Sequence, residues 1–500
     1  MPSKLANLHS FGLLGIRGYT VRVEVEASET SLMTFRIVGL PDTTVSESRE
    51  RVRCAIHASG FHFPAGRVVV NLAPADVRKE GPLFDLPIAA GILAASKGLK
   101  PRSLQGIGMV GELSLDGQVR AVRGALSLAM QARQEGMRAL VLPLDNIAEA
   151  SLVDGIDLWP VQTLTEAVEA LRKSAAPSWT RSEPPLPVIA PVDADLIDIR
   201  GLWRARRALE VAAAGGHNLL MIGPPGSGKT MLAHRLSGIM PPLTPDEALE
   251  VMQVHSAAGR LANGQPVTER PFRAPHHTAS TGGIVGGGSV PRPGEISLAH
   301  KGVLFMDELP EFPRSVLEVL REPLESCQVS LARASITITF PADFLLVACM
   351  NPCPCGHGMG EDAGCKCQRT ARMRYRARIS GPLLDRMDMI VEVPRDHGDD
   401  PSETSAAVRV RATAARARQM QRQGRPNARL RLAEMRQHCV IDDPGLLTAA
   451  ARTMSARSVD RVIRVARTLA DLAGCEQIEP EHLQNALHLR LGEHILDAAW

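Results

Sequence analysis

The stretch GPPGSGKT, running Gly223, Pro224, Pro225, Gly226, Ser227, Gly228, Lys229, Thr230, has the residue types and spacing needed to hold a triphosphate. Its glycines let successive backbone N–H groups curl around a β-phosphate, Lys229 can reach the β- and γ-oxygens, and the Thr230 hydroxyl can ligate Mg2+. Farther on, KGVLFMDELPEF ends an apolar run in Asp307 and Glu308. One carboxylate suits Mg2+, held through water; the other suits orienting and polarising an attacking water. A third apolar run, DFLLVACMN, delivers Asn351, a neutral group able to hydrogen-bond a γ-phosphate or its water. An acidic pair alone would read as a solvated turn. Coupled to the glycine-rich loop, these residues read as one ATPase site that uses ATP and Mg2+.

A second constellation follows at once. Four cysteines fall within fifteen residues as two C-x-C pairs, Cys353 with Cys355 and Cys365 with Cys367, separated by nine residues. Glycines at 356, 358, 360 and 364 let the loop fold back so that four thiolates meet tetrahedrally around Zn2+. In so polar a segment the metal would supply folding energy. His357 is an alternative ligand, and a redox switch or four free thiols are rival readings. Six basic residues lie between Lys366 and Arg378, so a zinc-fixed knuckle would hold positive charge against DNA or a neighbouring subunit.

These groups need elements to position them. HNLLMI before the glycine-rich loop and MLAHRLSGIM after it supply strand, loop and helix. Three strands that each end in a phosphate-facing residue match the rule for open α/β sheets. Residues 1–173 alternate strand-like runs (VRVEVEA, MTFRIVG, GRVVVNLAP, RALVLP) with helical ones (TVSESRERVRCAIHASG, LSLAMQARQEG), which predicts a compact α/β domain. Residues 174–198, rich in proline and serine, read as a linker. A second α/β region spans 199–395 with the cysteine-rich insert at 351–378, and 396–500 are helical.

Composition sets limits. The formal charge of +3 is too small to argue a nucleic-acid partner by itself. With only 3% aromatic residues, any nucleic acid is expected to be held by its phosphate backbone rather than by base stacking. No cleavable signal and no eighteen-residue apolar span is evident, so the expected address is cytoplasmic, with no membrane partner. The other five cysteines are scattered singly and read as small buried hydrophobes of a reducing compartment.

The order of these motifs resembles AAA+ ATPases. GPLLDRMDM and SARSVDRVIRVARTLADL narrow the resemblance to the magnesium-chelatase-like branch, and most closely to the ComM/YifB family. It extends over nearly the whole chain, including FRIVGLPDTTVSESRERVRCAI and RALEVAAAGGHNLLMIGPPGSGKT. The resemblance implies that Asn351 is sensor 1, that Arg386 is an arginine finger pointing into a neighbouring subunit's ATP, and that Arg457 is sensor 2 in a helical lid. A finger in trans implies an oligomer, here a homo-hexameric ring. The family's usual Gln after IRG is replaced by Leu202 and Trp203, so Trp203 carries no assignment. In the first domain, GPLFDLPIAAG and GELSLDGQVRAVRGALSLA resemble the active-site segments of the Lon-type protease fold. Leu83 and Leu126 stand where that protease needs serine and lysine, and aliphatic side chains do no acyl chemistry. The implied domain is Lon-protease-like and non-proteolytic, serving assembly or DNA contact.

Two inserts bear on what the ATPase acts on. RAPHHTASTGGIVGGGSVPRPGEI is glycine-rich and long enough to reach a pore, and QVSLARASITITF reads as a β-hairpin with Arg333 near its tip. The resemblance implies that both project into a central channel and grip DNA, with Arg333 on a phosphate; a surface hairpin with a solvated arginine is the bland alternative. Adjacent His276 and His277 diverge in an extended segment and are left unassigned. Eight arginines between Arg409 and Arg431 form either a solvated face or a DNA contact. The expected function is a ring-forming, ATP-driven DNA motor or helicase promoting branch migration during natural transformation and homologous recombination. A chelatase-type AAA+ remodeller of a protein partner is the main rival, followed by a scaffold and an ATP-dependent protease.

Overall fold

A computed structural model describes residues 4–490 except 29, 31–32, 97, 178–194, 262–266, 289–290, 334–335, 358–363, 396–397, 399, 442–444, 446 and 448–453. Most of the stretch read as a linker therefore lies outside the described residues, as do Gly358 and Gly360 of the cysteine-rich loop. The chain folds as two units. The first comprises residues 1–188 with 248–267 and 289–292; the second comprises 189–247, 268–288 and 293–500.

In the first unit, alternation builds the sheet. Val21, Val23 and Val25 on strand Arg17–Ser28, and Val68, Val70 and Leu72 on strand Arg67–Ala73, all point into the core, the period of two expected for a sheet with one apolar face. Seven strands lie in the order Thr34–Val38, Arg67–Ala73, Arg17–Ser28, Lys4–Leu14, Ile107–Met109, Ala139–Pro143, Asp157–Val161. Helix Asp85–Ala95 is buried along its whole length. Its one carboxylate, Asp85, receives the Ser48 hydroxyl and the Arg51 guanidinium at 2.7 Å, which satisfies a charge that burial would otherwise make costly. Leu83 and Leu126 pack into the same apolar cluster, and Leu126 is fully buried. The positions expected for serine and lysine thus serve as hydrophobic core.

The second unit is built on a parallel sheet of five strands, ordered Phe272–Arg273, Val303–Met306, Leu345–Met350, Leu219–Ile222, Met389–Glu392. Every residue of LLMI, VLFM and LLVACM is buried. Such uninterrupted apolar runs mark strands covered on both faces. One cover is helix Trp203–Gly215, whose buried Ala205, Ala208, Leu209 and Ala212 recur at helical spacing, and helix Ala456–Ala473 packs on it in turn. The region after residue 400 is helical, as expected.

The eight arginines between Arg409 and Arg431 do not line up as one face. On helix Ser405–Gln423, Arg409 donates to the Gly238 carbonyl at 2.7 Å, Arg416 to Ala214 at 2.8 Å and Arg418 to Asp471 at 2.6 Å. Arg411 pairs with Glu210 at 2.7 Å, Arg422 with Asp471 at 2.7 Å, and Arg429 with Asp343 at 2.9 Å. These guanidiniums are cement between helices, because Arg can reach across a groove and satisfy several carbonyls at once.

At the amino-terminal end of the parallel sheet sits Asp388, fully enclosed. It pairs with Arg461 at 2.5 Å and accepts the Asn218 N–H at 2.9 Å. Burial alone would raise its pKa, yet Arg461, His217 and the Asn218 amide hold it well below the usual carboxylate range. Asp388→Ala strands Arg461 in the interior and is expected to cost about 3–5 kcal/mol, read as a fall in Tm. Because folding depresses this pKa, the carboxylate adds stability above about pH 4 that is lost as the pH falls further. Asp388→Asn should therefore show a flatter acid limb than the parent in pH-dependent unfolding.

Candidate nucleotide site and cysteine cluster

Three neighbouring parallel strands run the same way, and residues just past their carboxyl ends gather around one cavity. Strand Leu219–Ile222 runs into the glycine-rich loop, and Gly228, at φ 87, turns the chain into helix Lys229–Ile239. A residue with a side chain would occupy that left-handed conformation only under strain. Strand Val303–Met306 carries Asp307 and Glu308 just past its end, and strand Leu345–Met350 carries Asn351. Pro225, Gly226, Ser227, Gly228, Lys229, Thr230, Asp307, Glu308 and Asn351 together line a cavity of about 350 Å3. Met231 and Met350 complete it, two apolar wall residues that no motif flags.

The polar groups are already tied to one another. Lys229 Nζ donates to the Gly223 and Pro224 carbonyls at 2.7 and 2.8 Å and lies 3.4 Å from Asn351 Oδ1. Burial lowers its pKa, so its ammonium gains from any anion that enters. Thr230 Oγ1 donates to Asp307 Oδ2 at 2.9 Å, and the Glu308 N–H donates to Asp307 Oδ1 at 3.0 Å. A hydroxyl and a carboxylate in contact, both hard oxygen donors, fit Mg2+, which keeps several waters and takes few protein ligands. Glu308 lies half-exposed beside them with φ 52. His277 Nδ1 stands 3.4 Å from Glu308 Oε2, a neighbour that the sequence did not announce because the spacing to Glu308 matches no motif.

Residues 195–400 match the family model described as magnesium chelatase, subunit ChlI; residues 23–146 match subunit ChlI of Mg-chelatase, and 402–490 match its C-terminal part. The chain is 44% identical over 509 residues to protein YifB of Salmonella typhimurium, covering 98% of both. It is 45% identical over 499 residues to competence protein ComM of Haemophilus influenzae, covering 97% of both. A shorter match, 28% over 125 residues, joins 25% of this chain to 22% of Lon protease 2 of Bacillus subtilis.

The chain belongs to the ComM/YifB family of magnesium-chelatase-like proteins. For this family the parallel sheet is an AAA+-type core, with a helical region after it and partial similarity to Lon. Membership implies ATP and Mg2+, in keeping with the donors just described. No helix among the described residues is long and apolar enough to cross a membrane.

Other residues singled out in the sequence lie elsewhere. Arg386 is not at the cavity: it is nearly buried, and donates to the Pro382 carbonyl at 2.5 Å, to the Arg321 carbonyl at 3.0 Å and to Glu325. Arg457 is exposed, with its guanidinium 3.9 Å from Asp385, and it too stands outside the cavity lining. Arg333 closes the last rung of a hairpin, strand Gln328–Arg333 against Ile336–Pro341, paired with Ile336. Trp203 borders a separate cavity of about 370 Å3 with Arg206, Glu210, Arg411 and His488, among which none of the motif residues appears.

The four cysteines converge. Their sulfurs all lie within 4.8 Å of one another, with Cys353 3.3 Å from Cys355 and 3.6 Å from Cys365, and Cys355 3.7 Å from Cys365. Thiolates about 2.3 Å from one tetrahedral zinc stand about 3.8 Å apart, so the donor set fits that ion. Burial lifts the Cys353 thiol to about 12, while the His357 backbone N–H and the neighbouring thiols bring Cys355 down to about 6. The loop also touches the nucleotide site. Gly356, at φ 81, packs so closely that a Cβ there would lie 2.4 Å from Pro225 Cδ.

Lys229→Ala should remove measurable nucleotide binding in a fluorescent-analogue titration, since it deletes the lysine ammonium that lines the cavity. Glu308→Gln should keep that binding and lower turnover by at least about a hundredfold. Near-normal turnover in Glu308→Gln would show that the other carboxylate or Asn351 handles the water.

Proposed function

We propose that the protein is an ATP-driven DNA motor of the ComM kind, a homo-hexameric ring that promotes branch migration during natural transformation and homologous recombination. The observation that carries the ATPase half is the convergence of Lys229, Thr230, Asp307, Glu308 and Asn351 on one cavity. The DNA half is supported by full-length similarity to a competence protein. In this reading Lys229 neutralises the β- and γ-phosphates, Thr230 and Asp307 hold Mg2+, Glu308 polarises the attacking water, and Asn351 orients it.

Arg386 serves in trans as an arginine finger, and Arg457 is sensor 2 in the helical lid. Both stand outside the cavity of their own protomer, and Arg457 pairs with Asp385, the residue next to Arg386. To reach a neighbour's ATP, Arg386 leaves its contacts with Arg321, Pro382 and Glu325, and a finger in trans calls for an oligomer, here the hexameric ring. Arg333, at the end of its hairpin, contacts DNA phosphate. A soluble cytoplasmic setting accompanies this function. The chelatase-type remodelling of a protein partner is the second reading, favoured by three segments that match magnesium-chelatase models.

ATP hydrolysis measured with and without four-way DNA separates the two. Stimulation by DNA, weakened in Arg333→Ala with basal turnover intact, supports the motor; no stimulation at any salt concentration supports the remodeller. Mixing inactive Arg386→Ala with inactive Lys229→Ala should restore part of the activity, because mixed rings contain intact interfaces. No recovery despite verified co-assembly would argue that Arg386 acts only within its own subunit.

Cys353, Cys355, Cys365 and Cys367 bind one structural Zn2+ per chain. The sequence suggested a knuckle acting through the charge of Lys366 to Arg378; its packing of Gly356 on Pro225 adds a mechanical role. Cys353→Ser is expected to lose zinc in elemental analysis and also to raise the KM for ATP severalfold. A metal content near zero in chelator-free wild-type protein would refute the site.

A further inference from the structure

We propose that Tyr375 is a positioning residue for Asn351: its buried hydroxyl holds the backbone of the asparagine, and so keeps the amide side chain in place at the nucleotide cavity. This rests on the reading of Asn351 as the group that orients the attacking water. It adds to that site a residue that belongs to none of the motifs and does not line the cavity.

Asn351 needs such a hold because of where it stands. The last rung of strand Leu345–Met350 pairs Met350 with Ile222, and the Met350 carbonyl accepts the Gly223 N–H at 3.2 Å. Asn351 is the first residue past that rung, so its own N–H has left the ladder and must be paired elsewhere or given up to water. Beyond it the chain runs through Pro352 and Pro354 into the cysteine loop. The side chain is held loosely, its Oδ1 3.4 Å from Lys229 Nζ, so its aim depends on the backbone that carries it. The Tyr375 hydroxyl meets the Asn351 N–H.

Tyr375 is itself well anchored. On helix Arg369–Arg376 it is the one buried residue of RTARMRYR, and it belongs to the apolar cluster that contains Met350, Leu309 and Phe312. Just past that helix, Arg378 donates to the Pro310 carbonyl at 3.2 Å and to Glu311 at 2.7 Å. The helix is thereby tied to the turn Leu309–Glu311, which follows Asp307 and Glu308. Burial, with Glu311 and Glu308 adding to it, pushes the Tyr375 hydroxyl up to about 12. A neutral hydroxyl accepts an N–H and brings no negative charge to a site that must take a triphosphate.

A phenylalanine would fill the same volume with no polar atom to satisfy, and the chain uses Phe ten times against Tyr twice. The hydroxyl is therefore what this position adds. Without it the Asn351 N–H loses a partner, and the residue is free to turn about its own backbone bonds. A displacement of about 1 Å in a positioning group can cost about a hundredfold in rate. Lys229 and Thr230 stand on another element, helix Lys229–Ile239, and keep their hold on the phosphates. Loss of the hydroxyl therefore acts on turnover and spares ATP binding.

The test is steady-state ATP hydrolysis by the full chain, with and without four-way DNA, for wild type, Tyr375→Phe, Asn351→Ala and the double variant, with the Tm of each. Tyr375→Phe keeps the ring and its packing. It should lower kcat roughly five- to thirtyfold, the effect of one lost hydrogen bond, and leave KM for ATP within about twofold. The factor should be the same with and without DNA. In the Asn351→Ala background the change should cost nothing further, because the effect runs through Asn351. A tyrosine that serves packing alone would lower Tm and leave kcat intact in folded protein, and that result overturns the proposal. So does a loss that persists in the double variant, or one seen only with DNA, which would put Tyr375 in a DNA grip of its basic helix. If Asn351→Ala is impaired and Tyr375→Phe is not, the proposal fails alone. If Asn351→Ala turns over like wild type, the reading of Asn351 fails and takes the proposal with it. A wild type inert toward ATP would sink the ATPase reading and the proposal together.

Discussion

Asn218 sits just before the strand that feeds the phosphate loop, and four of its hydrogen-bonding groups are spoken for by neighbouring strands. Its N–H goes to Asp388 at 2.9 Å and its side-chain oxygen accepts from Leu346 at 2.9 Å. Its side-chain amide donates to the Arg386 carbonyl at 3.0 Å, and its own carbonyl accepts from Asp388 and Met389. Asp388 is in turn fastened to Arg461 on helix Ala456–Ala473. Two side chains at one end of the sheet therefore set the register of strands Leu219–Ile222, Leu345–Met350 and Met389–Glu392. Strands of four to six residues are stiff rods advancing about 3.3 Å per residue, so a slip at one end would appear undiminished at the other. The position of Asn351 against Lys229 depends on this lock, though neither group touches it.

The lock also explains why a buried charge is tolerated there. An enclosed carboxylate is costly unless its lone pairs and a counter-charge are all provided. Asp388 has an arginine on one oxygen and a backbone N–H on the other. Its loss would disturb helix Ala456–Ala473 and strand Met389–Glu392, which follows Arg386, together. Arginine is used in the same manner through the C-terminal helices, where guanidiniums from Arg409 to Arg429 reach carbonyls and carboxylates across helix junctions. The modest net charge of +3 thus hides many arginines committed inward.

How much of this was legible in the sequence depends on the range of the interaction. The glycine-rich loop, the acidic pair and Asn351 were legible because each is a local pattern at a strand end, and strand ends in a parallel sheet converge. Continuous apolar runs gave the strands, and a helical stripe gave the helix that carries Arg457. The arginine-rich stretch was ambiguous because composition does not say which way a side chain points; only the carbonyls of Gly238, Ala214 and Asp471 decide that. His277 was passed over for a related reason. Its neighbour Glu308 lies 31 positions away, and its ring, expected to diverge from that of His276, instead stacks on it and meets Phe312, none of which leaves a spacing signature.

Segment 351–356 brings two chemistries into one piece of chain. Asn351 lies at Lys229, Cys353 is buried two residues later, and Gly356 presses on Pro225. Six residues are too few to flex independently at both ends. Anything that reshapes the thiol cluster is transmitted to the loop that cradles phosphate, and a phosphate that reorganises Lys229 and Asn351 is transmitted back. Thermodynamic linkage makes that coupling reciprocal: if metal occupancy tightens nucleotide binding, nucleotide must tighten metal binding by the same factor. The cysteine cluster is therefore better understood as a buttress of the glycine-rich loop, through Gly356 on Pro225, than as a separate appendage, and the exposed Lys366, Arg369 and Arg374 follow directly beyond it.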